Sequence, residues 1–93
     1  MTLGEVYQRI IYCCKKYNAS QAILFGSRAK GTARERSDID IAVRGVSDIL
    51  TFQEEIDNIP TLYKVDVVDL DECRNKLLLE DIEKYGREIY KKI

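Results

Sequence analysis

The run Asp38-Ile39-Asp40-Ile41-Ala42-Val43 alternates carboxylate or small side chains with branched apolar ones at a period of two. Successive side chains on a strand point to opposite faces. The run is therefore a strand with Ile39, Ile41 and Val43 on a buried face and Asp38, Asp40 and Ala42 on the other. A second run, from Leu62 to Leu70, has the same character: Tyr63, Val65 and Val67 form its apolar phase. That phase sends Asp66 and Val68 to the opposite face and leaves Asp69 on the core side near the strand end. With the two strands as neighbours, Asp38, Asp40 and Asp66 meet on one face of a sheet. Like charges ~5 Å apart repel by about 3 kcal/mol at an effective dielectric constant of 20, so such a cluster calls for a cation. Hard divalent ions prefer oxygen ligands, and Mg²⁺ binds through a few carboxylates together with phosphate oxygens. The bland reading of the same pattern is a set of solvated charges that discourage strand-edge aggregation.

The remaining periodicities set the order of elements. Leu3, Val6, Tyr7, Ile10, Ile11, Cys14 and Tyr17 recur at spacings of three and four, which predicts a helix ending near Asn18. Residues 21–25 form a short apolar strand, and Gly26 to Gly31 a turn in which Ser27 caps a brief helix. The aspartate-bearing strand covers about 38–44. Ser47 is the expected cap of a helix that turns Ile49, Phe52, Ile56 and Ile59 inward and stops at Pro60. After the strand in 62–70, a last helix carries Leu78, Ile82, Tyr85 and Ile89 on one face and tolerates Gly86 in its interior. The expectation is a single α/β (α+β) domain over residues 1–93, a sheet of three or four strands with helices packed on one face.

Composition narrows the chemistry. A domain of 93 residues buries only roughly 60–65% of its unfolded surface, so its stability margin is thin. The charged fraction of 33% with a net charge of −1 argues against disorder, and no segment approaches the ~20 apolar residues of a membrane span. The start of the chain lacks the basic and apolar regions of a signal peptide, so a cytoplasmic location is expected. The balanced charge gives no basic track, which disfavours nucleic acid as partner. Cys13, Cys14 and Cys73 are odd in number and include no Cys-x-x-Cys pair, so neither a disulfide framework nor a zinc site is indicated. Histidine is absent altogether, and carboxylates must carry any acid, base or metal chemistry.

Gly26 and Ser27 join the carboxylates to a second feature. A glycine that ends a strand, followed by a serine at a helix start, exposes backbone N–H groups and a positive dipole end to an anion. Arg28 and Lys30 add charge for phosphate oxygens, with Arg36 a further candidate. A phosphate cradle after one strand and a carboxylate pair at the start of the next together point to phosphoryl or nucleotidyl transfer.

These residues resemble a known family. Gly26-Ser27, ten intervening residues and Asp38-Ile39-Asp40 fit the GS-x10-DxD signature of the nucleotidyltransferase superfamily typified by DNA polymerase beta, and the string from Phe25 to Val43 is similar to its minimal branch, the MNT proteins, often the antitoxin partners of HEPN proteins. The resemblance implies a mixed sheet in which Asp38, Asp40 and a third-strand aspartate, here Asp66, bind two ions of Mg²⁺ (or Mn²⁺). It implies that Gly26, Ser27, Arg28 and Lys30 bind the triphosphate of ATP, and that Asp66 is the general base. The implied activity is transfer of a nucleoside monophosphate, AMP from ATP, to a protein hydroxyl, with a helical HEPN-type toxin as partner and acceptor. Tyr12, Tyr63 and Tyr90 are candidate interface anchors. The competing expectation is an antitoxin of the same fold that neutralises its partner by contact, without catalysis.

Overall fold

The computed structural model describes residues 1–93. Helix α1 spans Leu3–Lys16 and opens with a reciprocal cap: Glu5 N–H donates to Thr2 Oγ1 at 3.2 Å and Thr2 N–H donates to Glu5 Oε1 at 3.0 Å. Strand β1 (Gln21–Phe25), the short α2 (Ser27–Lys30), β2 (Ile39–Arg44), α3 (Ile49–Asp57), β3 (Val65–Asp69), α4 (Lys76–Tyr85) and β4 (Arg87–Lys91) follow. The sheet is mixed and four-stranded, in the order β3-β2-β1-β4. β2 and β3 are parallel, joined by the crossover through α3, while β1 runs antiparallel to both β2 and β4.

The apolar phases read from the sequence are those the fold buries. Ile39, Ile41 and Val43 are completely buried in one cluster with Val6, Ile10 and Cys14 of α1 and Phe52 and Ile56 of α3. Phe52 anchors it, meeting the Tyr17 ring edge-on at 6.0 Å between centroids. Burial in this cluster pushes the Cys14 thiol up to about 12, so it is a packing group and not a nucleophile.

Several local expectations are corrected. α3 is capped by Asp48, whose Oδ1 accepts from Thr51 N–H at 3.2 Å; the Ser47 hydroxyl instead donates to the Tyr17 carbonyl at 3.0 Å. Ile59 is buried as expected but lies beyond the helix. Ser27 is the first residue of α2, not its cap, and makes no capping bond; Gly26 holds the cap position.

The helices are not confined to one face. Phe25, Ala42, Leu70 and Ile82 form a second buried cluster on the far side of the sheet, with Ile23, Val68, Leu78 and Leu79 against it. α4 therefore packs on the face that carries the aspartates, because the middle of that face is apolar too.

The last helix also stops earlier than expected. Gly86 ends α4, and Ile89, taken as a fourth turn of the apolar stripe, belongs to β4 and packs against the main core from the strand. Tyr85 is 43% exposed instead of inward. A Cβ on Gly86 would lie 2.3 Å from the Ile82 carbonyl oxygen and 2.6 Å from Ile23 Cγ2. Glycine is thus the corner that lets β4 fold back beside β1. We expect Gly86→Ala to cost about 1–3 kcal/mol through this overpacking, read as a lower urea midpoint with unchanged slope.

Candidate active site

Strand pairing brings the two aspartate runs together. In the parallel register Asp40 is the partner of Asp66, one position along from the Ile39–Val65 pair. Ile39 N–H donates to the Lys64 carbonyl at 2.9 Å, which ties the starts of the two strands. Asp38 lies just before β2 and is exposed; Asp40 and Asp66 are half-buried. Asp69 pairs with Val43 in the core-side phase and accepts from Asp71 N–H at 3.0 Å, which caps the turn after β3. The strand-phase separation of Asp66 from Asp69 is as expected.

The carboxylates are held against their own repulsion. Desolvation raises the pKa of Asp40 first, then the charges of Asp66 and Asp38, with Lys64 opposing. Lys64 Nζ stands 3.6 Å from Asp66 Oδ1 as an exposed ion pair. The turn after β1 closes on the same point: Gly26 has φ +72° and ψ −155°, a conformation essentially reserved for glycine. A Cβ at Gly26 would lie 2.2 Å from Asp40 Oδ2. The glycine-serine turn and the aspartate strand are thus in van der Waals contact, with no room for a side chain between them.

The two cations expected at the phosphates are engaged within the protein. Arg28 donates from Nε and Nη2 to the Ser37 carbonyl at 3.2 and 2.8 Å and from Nη2 to the Glu35 carbonyl at 3.2 Å, and its guanidinium lies 5.1 Å from the Tyr63 ring centroid. Lys30 pairs with Asp81 of α4 at 2.8 Å and lies 5.0 Å from the Tyr85 ring centroid. Arg36 is exposed on the loop before β2, beside a cavity of about 430 Å³ that Leu62 and Tyr63 also line. Lys64, which the sequence reading passed over, is the cation at the carboxylates; its position just before β3, two residues ahead of Asp66 and therefore in the same phase, was the available signal. A separate cavity of about 390 Å³ runs between α3 and β3 with Lys64 and Asp66 in its wall. Of the candidate anchors Tyr12 is 56% exposed, whereas Tyr63 and Tyr90 are half-buried against the core.

The donor chemistry at Asp40 and Asp66 suits a hard divalent ion: oxygen-only, partly desolvated and mutually repelling. No three His, Cys, Asp or Glu side chains are gathered closely enough to enclose an ion. A two-carboxylate site fits Mg²⁺, which keeps several waters and completes its shell with substrate phosphates.

A family model described as polymerase beta, nucleotidyltransferase matches residues 8–93. The chain belongs to this family. Among curated proteins, none matches it. Solved structures share the nucleotidyltransferase fold. A chain of a toxin-antitoxin crystal structure with AMP-PNP is 24% identical with a TM-score of 0.67, the match covering 92% of this chain and 73% of that one. Two MntA-HpeT toxin-antitoxin variants are also similar. One, with two aspartates each changed to glutamate, is 22% identical with a TM-score of 0.66 over 92% of this chain and 73% of that one. The other, with a tyrosine changed to alanine, is 26% identical with a TM-score of 0.71 over 91% and 72%. No helix is long and apolar enough to cross a membrane.

Two outcomes are expected. Gly26→Ala should displace Asp40 and destabilise the fold by about 1–3 kcal/mol, measured by urea unfolding. Asp40→Asn should stabilise the metal-free chain at neutral pH. With its folded pKa raised by burial and by the neighbouring carboxylates, Asp40 favours folding only while protonated, so the parent loses stability as pH rises from the ordinary carboxylate range through the raised folded value. Melting temperatures of parent and Asp40→Asn should converge in acid and separate towards pH 7.

Proposed function

We propose that this nucleotidyltransferase moves AMP from ATP to a hydroxyl of a helical, HEPN-type toxin, and so acts as its antitoxin. The observation that carries the reading is the contact of the Gly26 turn with Asp40 opposite Asp66, which puts a backbone surface suited to phosphate beside paired carboxylates. Asp40 and Asp66 are the residues that would hold Mg²⁺ or Mn²⁺, and Asp38, exposed just before β2, would join them by turning its side chain toward the ion. When bound, the metal supplies charge neutralisation at the acceptor oxygen and at the leaving pyrophosphate. Gly26 and Ser27 offer backbone N–H groups to the triphosphate, with Lys30 able to turn from Asp81 to a phosphate oxygen. Asp66 accepts the proton of the acceptor hydroxyl as its oxygen bonds to the α-phosphorus, and the bond from that phosphorus to the bridging oxygen breaks to release pyrophosphate.

The toxin-antitoxin neighbours support the partner class, and the AMP-PNP in one supports the nucleotide. The two aspartates altered in another neighbour are two positions apart, the spacing of Asp38 and Asp40. The alternative, neutralisation by contact alone, draws on the internal engagement of Arg28 and Lys30 and on the lack of a third carboxylate close enough to enclose an ion.

Transfer is read directly by intact mass spectrometry of the co-expressed partner with ATP and Mg²⁺. The partner should gain one or more AMP units, Asp38→Asn and Asp66→Asn should give none, and Asp69→Asn should match the parent. A stable, neutralised complex with no mass change under Mg²⁺ or Mn²⁺ and any nucleotide would establish the contact-only antitoxin. ATP with Mg²⁺ should also raise the melting temperature more than either alone, by the equivalent of about 2.7 kcal/mol at a hundredfold excess over Kd.

A further inference from the structure

Arg28 joins the three segments that deliver the site. Its backbone belongs to α2, next to the Gly26 turn that touches Asp40. Its Nε and Nη2 hold the carbonyls of Glu35 and Ser37, the last turn of chain before Asp38. Its guanidinium lies against Tyr63, three residues before Asp66.

We propose that Arg28 is a positioning residue that clamps the loop before β2 and the start of β3 to α2, fixing the spacing of Asp38 and Asp40 from Asp66. This rests on the nucleotidyltransferase reading above, but the clamp itself does not depend on a phosphate. The loop needs such a tie: between Gly31 and Asp38 it has no regular structure, and its own bonds are the short-range pair Ser37 N–H to the Arg34 carbonyl at 3.1 Å and Arg34 N–H to Ser37 Oγ at 2.8 Å. A planar fork can bridge two carbonyls and lie flat on a ring at once; an ammonium keeps the charge and can approach a ring but loses the two-carbonyl fork. Arginine at 28 is thus required by shape, whereas Lys30, held by Asp81 and by the Tyr85 ring face, is required by charge.

The test compares Arg28→Lys, Tyr63→Phe and Tyr63→Leu in the metal-free chain by amide hydrogen exchange, and then by calorimetric Mn²⁺ titration without nucleotide. In Arg28→Lys the amides of Arg34, Ser37 and Ile39 should exchange about tenfold faster, the scale of one or two lost hydrogen bonds, while those of α1 stay at parent rates. Mn²⁺ affinity should fall several-fold although the charge is kept. Tyr63→Phe, which keeps the ring, should match the parent, and Tyr63→Leu should loosen the same three amides. Parent-like exchange and Mn²⁺ affinity in Arg28→Lys, with only ATP binding weakened, would make Arg28 a phosphate ligand and overturn the clamp. A parent chain that binds no Mn²⁺ overturns the metal reading alone, because the exchange arm decides the clamp separately.

Discussion

The parallel pairing of β2 with β3 is the constraint on which the rest of the molecule depends. It sets Asp40 opposite Asp66 and obliges the chain to cross over the sheet between them, a task that falls to α3. The crossover helix supplies Phe52 and Ile56, so the link that makes the carboxylate pair also builds the core. The repulsion at one face is thereby offset by apolar burial on the other, within the same pair of strands.

The surroundings of that pair are tight in one direction and open in another. Gly26 presses its backbone against Asp40, whereas Asp38 is exposed and Lys64 pairs with Asp66 across solvent. An exposed pair of this kind contributes at most ~1 kcal/mol. A lysine so loosely held can yield to a stronger cation without disturbing the strand.

Much of this was legible because period-two alternation is a strong signal when both phases are chemically distinct. Ile39, Ile41 and Val43 against Asp38 and Asp40 left no doubt about strand phase, and the same logic separated Asp66 from Asp69. The signal failed where two periods coincided. Ile82, Tyr85 and Ile89 continue a helical stripe in spacing, yet Gly86 is a corner whose necessity is visible only once Ile23 and the Ile82 carbonyl are seen beside it. The second apolar cluster was present in the sequence as Ile23, Phe25, Ala42 and Val68, all on the aspartate face, but those residues acquire meaning only when β1, β2 and β3 lie side by side. The partners of Arg28 and Lys30 were not readable at all. One is held by backbone carbonyls, which every residue possesses, and the other by Asp81, some fifty positions away.

The two outer strands of the sheet bear on how the molecule behaves in a crowd of its own kind. β4 presents Arg87, Glu88 and Lys91 along an edge only five residues long, and a chain adding there would have to match opposed charges at successive positions. β3, at the other edge, is equally short, and the segment from Ile59 to Lys64 rises beside it with α3 to form the walls of a cavity. Neither edge offers the long, flat, uncharged template from which fibrils grow. The alternating charges of β4 and the shortness of both outer strands thus work against edge-to-edge pairing between molecules.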